Sequence, residues 1–501
     1  MNIPILSLTL FMPIIGAIII MILPRERERA IKYLAAAATL ISLVLSLIVA
    51  FGYNLSQGGM QFVEKIPWTP DLGVSYALGI DGISIPMLLL TTLIGFSAVY
   101  ASWNIKDRVK EFFSLLLILI AGVMGTFVAT DLFIFFLFYE VVVIPIYLMV
   151  IMWGSTKRVT KEYAGMKLTI YLLIGSAFLL VGLISLFVMS SAINGAPSMD
   201  MMVLAQTDFP VGFQVFAFAL MAFGFGTLLS MFPFHAWSPD GYAGAPTAVS
   251  MIHAGVLKKI GGYGLIRIGI LMLPAGAKIV APIIAVLALG NVVYAAFICL
   301  SQKDLKYIVG YSSVSHMGYV LLGIAALNLV SLNGAVIMMF AHGVMAALFF
   351  AMIGNLYEKS HTRNVDDFGG LAHQMPRLAT GFMIAGLASL GLPGMVNFIG
   401  EFTIFVGAFS TYKVITVIAV SGIIFTALYI LRTMANVLFG PRKAEWDHLE
   451  DLKGPEMVPL IVLGAAIILG GIMPFTLMDF ISNGVGSLIA QAGFLQMGGI
   501  L

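Results

Sequence analysis

Long apolar runs separated by short polar segments make up almost the whole chain. An α-helix needs about 20 apolar residues to cross the hydrocarbon core of a bilayer, and most of these runs reach that length. They are continuous, without the alternation of apolar and polar positions that marks the strands of a membrane barrel. The pattern predicts fourteen membrane-spanning helices, numbered here as spans 1–14, at residues 3–23, 31–53, 79–103, 111–129, 131–153, 164–192, 213–236, 246–272, 276–300, 306–328, 332–356, 377–411, 414–438 and 457–480.

Two of the predicted spans carry helix-breaking residues in their interiors. Span 7 contains Met231-Phe232-Pro233-Phe234, and span 12 contains Leu392-Pro393-Gly394. Proline removes a backbone donor and clashes with the preceding helical turn. Such a break is tolerated at membrane depth where the loosened backbone faces protein or trapped water. We therefore expect spans 7 and 12 to be broken helices, with a simple kink as the alternative.

The composition agrees with this pattern and narrows the class of protein. Hydrophobic residues make up 60% of the chain and charged residues 10%, whereas soluble domains average about a quarter charged residues. We expect an all-α polytopic membrane protein, formed as a single membrane domain over residues 1–501. The first run has no basic segment before it and no small-residue cleavage pattern, so it is expected to be span 1 and not a removed signal peptide.

The chain offers little for soluble or redox chemistry. Its single cysteine, Cys299, excludes an internal disulfide and a cysteine-bound cluster or zinc site. The segments between spans are too short for a nucleotide-binding domain, and neither a P-loop nor an H-E-x-x-H motif occurs. We therefore expect no cofactor and no metal site in this chain, and no nucleic-acid partner.

Basic residues are distributed unequally between the two sets of loops. The loops after odd-numbered spans hold eighteen lysines and arginines, and the loops after even-numbered spans hold three. Positively charged loop residues are retained on the cytoplasmic side of a membrane. We therefore predict that the odd-numbered loops are cytoplasmic and that both termini lie outside.

Ionisable residues also lie deep inside several spans. Glu140 is in the middle of span 5, Lys258 and Lys259 are in the middle of span 8, and Glu401 follows the break of span 12. A charged side chain at the bilayer centre costs about 2.5–3.5 kcal/mol on insertion scales, so such residues usually serve a function. Four histidines accompany them, and an imidazole can pass a proton from one ring nitrogen to the other: His235, His253, His316 and His342. The simplest interpretation is a path for protons or cations.

Each of these residues also has a purely structural interpretation. A buried glutamate can be a neutral acid bonded to a neighbouring helix, and a buried histidine can simply bond a backbone carbonyl. Asp81 and Asp131 stand at helix starts, where a carboxylate stabilises free N–H groups, and we expect that role for them. Lys167 and Arg267 lie close to helix ends and are expected to extend their charged groups to the membrane surface.

Several long segments, in order along the chain, resemble the signatures of one family. They are LGIDGISIPMLLLTTL (78–93), DLFIFFLFYEVVVIPIYLMVIMWG (131–154), FPFHAWSPDGYAGAPTAVSMIHAGVLKKIGGYGLIR (232–267), SQKDLKYIVGYSSVSHMGYVLLGI (301–324), FAHGVMAALFF (340–350) and SLGLPGMVNFIGEF (389–402). Together they resemble the subunit M family of complex I-type NADH:quinone oxidoreductases, the bacterial counterpart of mitochondrial NADH dehydrogenase subunit 4. This family is antiporter-like and related to Mrp antiporters.

The resemblance implies a fold of fourteen helices with two inverted five-helix repeats, spans 4–8 and spans 9–13. On this chain spans 1–3 would occupy residues 1–110, the first repeat 111–272 and the second repeat 273–438. Residues 439–501 would form a cytoplasmic loop and span 14. Each repeat would hold a half-channel, and a lateral row of charged and hydrated groups would join the two.

The family's functional residues carry over by motif position. Glu140 matches the span-5 glutamate, Lys259 the central span-8 lysine and Glu401 the span-12 glutamate. Histidines of the span-7, span-10 and span-11 motifs are matched by His235, His316 and His342. His253 has no usual counterpart and is a weaker candidate for the proton path.

The chain departs from the family in span 7. The family usually has a lysine seven residues before the histidine of that span, where it pairs with the span-5 glutamate, and this chain has Leu228 there. The histidine often found after the Pro-Asp of the motif is also absent, because Pro239-Asp240 is followed by Gly241-Tyr242. The partner of the span-5 glutamate is therefore open.

Lys258 is an extra cation beside Lys259 and one candidate to replace the missing lysine. Adjacent helical residues point about 100° apart, so the two lysines cannot share one direction. One of them can face span 7 while the other faces the central row. The alternatives are an unpaired, neutral Glu140 or a span-10 histidine close to it.

The resemblance implies proton translocation in the membrane arm of complex I, in a bacterial inner or plasma membrane. NADH, FMN, iron–sulfur clusters and quinone are expected in partner subunits. The expected partners are the other membrane-arm subunits, including neighbouring antiporter-like subunits, with the lipid bilayer and with protons or Na⁺ as the transported ion.

Two alternatives to this function remain. The chain can belong to an Mrp-type cation/proton antiporter, a membrane-bound hydrogenase or a dehydrogenase with another electron donor. It can also be a structural subunit that no longer pumps, which Leu228 suggests.

Overall fold

A computed structural model of the protein describes residues 4–494. Within them the chain forms twenty α-helices and one two-stranded antiparallel sheet. The helices are α1 (Ile5–Ile22), α2 (Glu28–Gly52), α3 (Ser84–Ala101), α4 (Val109–Val128), α5 (Leu132–Trp153), α6 (Lys161–Asn194), α7 (Met201–Ala205), α8 (Val211–Leu228), α9 (Trp237–Gly244), α10 (Thr247–Ile252), α11 (Lys258–Gly264), α12 (Pro274–Ser301), α13 (Leu305–Ala325), α14 (Leu329–Ser360), α15 (Leu371–Gln374), α16 (Pro376–Ser389), α17 (Val396–Thr411), α18 (Lys413–Met434), α19 (Met457–Ile472) and α20 (Phe475–Gln491).

Twelve helices of the described chain are long and apolar enough to cross a membrane. The other two predicted spans have helical counterparts as well. Span 8 is one continuous helix over residues 247–272, in which π-helical turns at His253–Leu257 and Leu265–Ile270 follow α10 and α11. Span 12 is the pair α16 and α17. The predicted polytopic helical architecture with breaks in spans 7 and 12 is confirmed, and the repeat boundaries stay a prediction.

The predicted start of span 3 is wrong. Val74–Ile80 form strand β2, which pairs with β1 (Gln61–Thr69) in an antiparallel hairpin, and the helix begins only at Ser84. The apolar run includes the end of the hairpin because the last four positions of β2 are all buried. Hydropathy alone therefore does not separate this buried strand from the helix that follows it.

The predicted end of span 14 is also wrong. The helix ends at Ile472, and after Pro474 a separate helix, α20, runs to Gln491. Proline cannot donate the hydrogen bond that would continue the helix. The backbone of α20 lies against Gly82, where a Cβ atom would clash with the Phe480 carbonyl, so this helix packs on the start of α3.

The centre of the bundle is α14. Every residue in its most apolar window of 18 residues is buried, and α13 follows with 94% of its window buried. α14 packs against α3, α10, α13, α16, α17, α19 and α20. Because these two helices form the core, the side chains of His316 on α13 and His342 on α14 lie far from the surface.

Neighbouring side chains bond the backbone groups that the break in span 7 leaves free. Asn291 of α12 accepts a hydrogen bond from the Phe232 N–H at 2.6 Å and donates one to the Ser230 carbonyl at 2.8 Å. The indole N–H of Trp237 donates to the Thr227 carbonyl at 3.1 Å. Unpaired backbone groups are costly inside a bundle, so these bonds stabilise the break.

The two aspartates expected at helix starts are found there. Asp131 accepts hydrogen bonds from the N–H groups of Phe133 and Ile134 at the start of α5. Asp81 accepts from the N–H groups of Ile83 and Ser84 at the start of α3. The expectation of a capping role is therefore met by the hydrogen bonds of both side chains.

The expectation for Arg267 is wrong. Its guanidinium turns inward and forms an ion pair with Asp81 at 2.5 Å, with only 4% of the arginine side chain exposed. It turns inward because a buried carboxylate is within reach, and a buried charge requires a partner. Lys167 also pairs inside the protein, with Asp240 at 2.6 Å, but its side chain is less buried.

The Asp81–Arg267 pair predicts a large effect on stability. Asp81→Asn leaves the Arg267 charge buried without a counter-ion, which typically costs about 3–5 kcal/mol of unfolding free energy. We expect a lower midpoint of thermal denaturation for the detergent-solubilised protein. Glu450→Gln is the control, because it breaks an ion pair with Lys453 in which both side chains are mostly exposed and should leave the midpoint unchanged. Equal midpoints for the two variants would show that the buried Asp81–Arg267 pair contributes no more to the free energy of unfolding than an exposed pair does.

Candidate functional site

Span 8 and α14 cross at two glycines. A Cβ atom on Gly343 would lie 2.5 Å from the Gly255 carbonyl oxygen, and one on Gly255 would lie 3.2 Å from the Gly343 carbonyl oxygen. The backbones therefore approach as closely as they do because neither residue has a side chain. Gly255 lies in the first π-helical turn, and π-helical turns are frequent at functional sites.

This crossing brings Lys259 and His342 together. The Lys259 ammonium is 2.8 Å from Nδ1 of His342, and it also donates a short hydrogen bond to the carbonyl of Ala254 in the π-helical turn. Neither side chain is exposed to any extent. Nε2 of His342 has no hydrogen-bond partner within the described chain. Within the described residues the imidazole is thus hydrogen-bonded through Nδ1 and unbonded at Nε2.

Two further ionisable side chains, His316 and Glu401, follow His342 in the interior of the bundle. The rings of His342 and His316 have centroids 5.5 Å apart, and Nε2 of His316 is 3.6 Å from the Glu401 carboxylate. The ring nitrogens of His316 also face two backbone carbonyls, that of Ser312 at 2.7 Å and that of Ser389 at 3.1 Å. We call Lys259, His342, His316 and Glu401 the central row.

The break in span 12 makes room for the end of the central row. Gly391 has φ of +67°, and a Cβ atom there would lie 2.3 Å from Oε2 of Glu401. A side chain at this position would therefore displace the carboxylate, and the left-handed backbone favours glycine independently. The Ser389 carbonyl, at the end of α16, points at His316 instead of continuing the helix. The broken backbone thus contributes an acceptor to the site.

Lys258 points away from the central row into a second polar cluster. Its ammonium is 3.1 Å from the Ser313 hydroxyl of α13 and 5.3 Å from the centre of the Tyr242 ring. Tyr242 in turn contacts His253, with ring centroids 5.4 Å apart. The side chain of Lys258 is completely buried. We call Lys258, Ser313, Tyr242 and His253 the Lys258 pocket.

Several polar atoms around the Lys258 pocket lack hydrogen-bond partners within the described residues. They are the hydroxyl of Tyr242, both ring nitrogens of His253, the hydroxyl of Ser238 and Nδ1 of His235. His235 does not join the central row, because its ring stacks on Phe232 beside the break of span 7. Buried polar atoms are normally bonded to protein or water, so a cluster of unbonded atoms fits a hydrated pocket.

Glu140 lies apart from both clusters. Its half-buried side chain borders an outward-facing groove of about 560 Å³ between α5 and α6. Ser176 of α6 lies beside the carboxylate, whose Oε1 has no hydrogen-bond partner within the described residues. The possible pairing of Lys258 with Glu140 is not formed, because Lys258 faces Ser313. Nor is a span-10 histidine beside Glu140, since His316 lies beside Glu401.

The sequence interpretation missed the residues that connect the titratable groups. Ser312 and Ser313 of α13 stand in a run of small polar residues, YSSVSH, which is unusual inside a span and would have been the signal. Tyr242 follows the Pro-Asp pair after the break of span 7, and it faces Lys258 with its ring. A neutral ring tolerates a nearby ammonium, whereas a second cation would repel it.

Known proteins resemble the chain over most of its length. The family described as NADH:quinone oxidoreductase/Mrp antiporter, TM, matches residues 129–426. A NAD(P)H-quinone oxidoreductase chain 4 of Microcystis aeruginosa is 38% identical over 447 residues, which cover 88% of this chain and 80% of that protein. The NADH-quinone oxidoreductase subunit M of Rhodobacter capsulatus is 34% identical over 502 residues, covering 97% and 96%.

A solved structure has the same fold. One chain of respiratory complex I from Thermus thermophilus superimposes with a TM-score of 0.87 at 25% identity, covering 97% of this chain and 99% of that chain. The family match extends over more than half of the chain, and the similarity to both curated relatives extends over most of it. The buried row of acids and bases therefore lies in a protein that belongs to the NADH:quinone oxidoreductase/Mrp antiporter transmembrane family.

Proposed function

We propose that the chain is the antiporter-like, proton-translocating membrane-arm subunit of a complex I-type NADH:quinone oxidoreductase in a bacterial membrane. Quinone reduction takes place elsewhere in that complex and drives the transport of protons through this subunit. NADH, FMN, the iron–sulfur clusters and quinone belong to partner subunits. Its neighbours are other membrane-arm subunits, including antiporter-like ones.

The continuity of the central row carries this proposal. Lys259, His342, His316 and Glu401 follow one another at 2.8 Å between Lys259 and His342, 5.5 Å between the ring centroids, and 3.6 Å from His316 to the carboxylate. All four are buried in the core of the bundle. A structural role requires each group to be bonded once, whereas a relay requires acids and bases in succession.

The charge states of neighbouring groups in the central row depend on one another. Two unit charges 4 Å apart interact by about 4 kcal/mol at an effective dielectric constant of 20. A proton that arrives at His316 therefore stabilises an ionised Glu401, and its departure favours the neutral acid. Imidazole rings suit the intermediate positions because they accept a proton on one nitrogen and release one from the other.

Lys258 is the group that replaces the span-7 lysine in this proposal. Two ammonium groups on adjacent buried residues repel each other, so charging Lys258 disfavours the charged form of Lys259. A proton taken up in the Lys258 pocket can therefore drive one from Lys259 toward His342. In this scheme Lys258 receives its proton within the Lys258 pocket, where Ser313 and Tyr242 contact it.

A second candidate is a structural subunit that no longer pumps. Two observations favour it: Leu228 replaces the span-7 lysine, and Lys258, the candidate replacement, faces Ser313 and not Glu140. A third possibility, a subunit of an Mrp-type cation/proton antiporter, shares the family name. The transported ion and the genes beside this one distinguish that assembly from a quinone reductase.

Removing the acid at the end of the central row should stop transport. In membrane vesicles that contain the assembled complex, we expect Glu401→Gln to lower the rate of redox-driven proton translocation by at least about tenfold, because the amide cannot take up a proton. Glu162→Gln makes the same change on an exposed residue at the start of α6 and should pump normally. Normal pumping per electron in Glu401→Gln would contradict the proposal.

The two lysines should both be required for pumping. Lys259→Met breaks the bond to His342, and Lys258→Met removes the cation of the Lys258 pocket, while methionine keeps a similar volume in each case. We expect the rate of proton translocation to fall severalfold or more in both variants. A normal rate in Lys258→Met together with an inactive Lys259→Met would remove the role given to Lys258.

Glu140→Gln tests whether Glu140 takes part in transport. If Glu140 exchanges protons during transport, the number of protons moved per electron pair should fall, whereas a structural subunit should be unaffected. The measurement is the proton-to-electron ratio in vesicles, with the amount of assembled complex determined for each sample. An unchanged ratio in Glu140→Gln, Lys259→Met and Glu401→Gln together would establish the structural alternative.

A further inference from the structure

Three aromatic rings meet where α2 and α3 reach the end of the bundle that is predicted to be cytoplasmic. The indole of Trp103 stacks on the ring of Tyr100, with centroids 5.2 Å apart and planes 6° apart. Tyr33 of α2 meets the same indole edge-on at 5.3 Å and is 64% exposed. Tyrosine and tryptophan are enriched at the level of lipid headgroups, because their rings are apolar and carry one polar group.

Basic side chains surround these rings. The half-buried Lys32 donates through Nζ to the Trp103 carbonyl at 2.8 Å, and Lys106 lies close enough to Lys32 for the two charges to repel each other. Arg29 stands about one turn before Lys32 and Tyr33 on the same side of α2. Arg29 and Lys106 are exposed, and neither has a hydrogen bond or an ion pair among the described residues. We call Arg29, Lys32, Lys106, Tyr33 and Trp103 the α2–α3 cluster.

Other lysines close to Trp103 have acidic partners. Two of them line a cavity of about 340 Å³ that borders this tryptophan. Lys359 pairs with Glu456 at 2.8 Å, and Lys453 pairs with Glu450 at 2.8 Å. The unpaired cations of the α2–α3 cluster therefore differ from their neighbours on the same face of the protein.

The α2–α3 cluster has a surplus of positive charge. The acid that acts on Lys32 is Glu28, one turn before it on α2. Asp107 follows Lys106 in the chain and is the second acid nearby. Together with Arg29, the two lysines outnumber these acids. An anion at this position would be attracted by cations that have no other partner.

The outward face of α2 is apolar along its whole length below the cluster. Its exposed residues recur every three or four positions: Tyr33, Ala37, Leu40, Val44, Leu47 and Phe51. At 1.5 Å per residue this face is about 27 Å long, close to the roughly 30 Å of a hydrocarbon core. The short side chain of Ala37 leaves space beneath the Tyr33 ring. The face can therefore accommodate acyl chains that begin at the level of the cluster.

We propose that the α2–α3 cluster binds the phosphate headgroup of an anionic phospholipid whose acyl chains lie along the apolar face of α2. Arg29 and Lys106 would donate hydrogen bonds to the phosphate oxygens. Lys32 would add another, because an ammonium has three N–H donors and uses one on the Trp103 carbonyl. Basic groups between helices on the cytoplasmic side bind headgroups in this way. This inference goes beyond the proposed function and does not depend on it.

The arrangement favours a lipid over a protein partner. The unpaired cations stand at one end of the apolar face, at the height of a headgroup. No ionisable residue interrupts α2 between Tyr33 and Phe51. Charge at one end and apolar surface along the rest match the two parts of a single phospholipid molecule.

Photocrosslinking in nanodiscs tests the site. The assembled complex is placed in phosphatidylcholine nanodiscs that contain a phosphatidylglycerol with a diazirine next to its headgroup, and the labelled peptides are quantified by mass spectrometry. We expect labelling of the peptides that contain Tyr33 and Trp103. The same diazirine on phosphatidylcholine should label these peptides much less, because its headgroup has no net charge.

Changes of charge on exposed residues should alter the labelling in both directions. Arg29→Gln and Lys106→Gln should each lower it about fivefold, the typical effect of one basic residue close to an anionic surface. Glu28→Gln should raise it, because it removes an acid that repels the phosphate. Lys413→Gln is the matched control, since it changes an exposed lysine at the opposite end of the bundle. It should leave the labelling of both peptides unchanged.

Three results would overturn the lipid site. Equal labelling by the two probes would show that the cluster does not prefer an anionic headgroup. Unchanged labelling in Arg29→Gln and Lys106→Gln would show that these cations do not hold the lipid. Crosslinks from α2 to a partner subunit, in place of lipid labelling, would show that a protein covers this face. None of these results concerns proton translocation in Glu401→Gln, so the proposed function would be unaffected.

Discussion

The close crossing of span 8 and α14 at Gly255 and Gly343 is the constraint on which the site depends. With no side chain between the two backbones, the residues that flank the glycines meet at the centre of the bundle. Lys259 and His342 are in contact for this reason. Moving the helices apart by the thickness of one methyl group would separate Lys259 from the His342 side chain. The contact between these two functional side chains therefore depends on the close packing of two glycines.

Burying the ionisable groups of the central row costs folding free energy, so their presence points to a role other than stability. A bundle that served only to anchor neighbours could place leucine at every position of the central row and be at least as stable. Where the same protein needs a buried charge for structure, as at Asp81 and Arg267, it forms a short ion pair. In the central row, Nε2 of His342 has no hydrogen-bond partner within the described residues, and in the Lys258 pocket the same holds for the ring nitrogens of His253. Incomplete bonding of this kind suits groups that change their protonation state.

Hydropathy predicts most of the fold, because a helix that crosses a bilayer requires a long apolar run. It does not predict the buried strand β2, since burial on both faces removes the alternation of apolar and polar residues that identifies strands. The depth of Glu401 and Lys259 was also visible in the sequence. Their connection was not, because it depends on the π-helical turn before Lys258 and on the break after Ser389, and neither can be read from composition. The direction of Lys258 and the inward turn of Arg267 depend on partners from distant parts of the chain.

Infrared difference spectroscopy of the assembled complex during turnover tests the connection of the central row most directly. The carboxyl stretch of Glu401, identified by its loss in Glu401→Gln, should change when quinone is reduced. Because the account treats Lys259 and Glu401 as two ends of one relay, Lys259→Met should abolish that change even though the carboxylate itself is intact. A Glu401 signal that persists unaltered in Lys259→Met would show that the two ends act independently, and it would contradict the account.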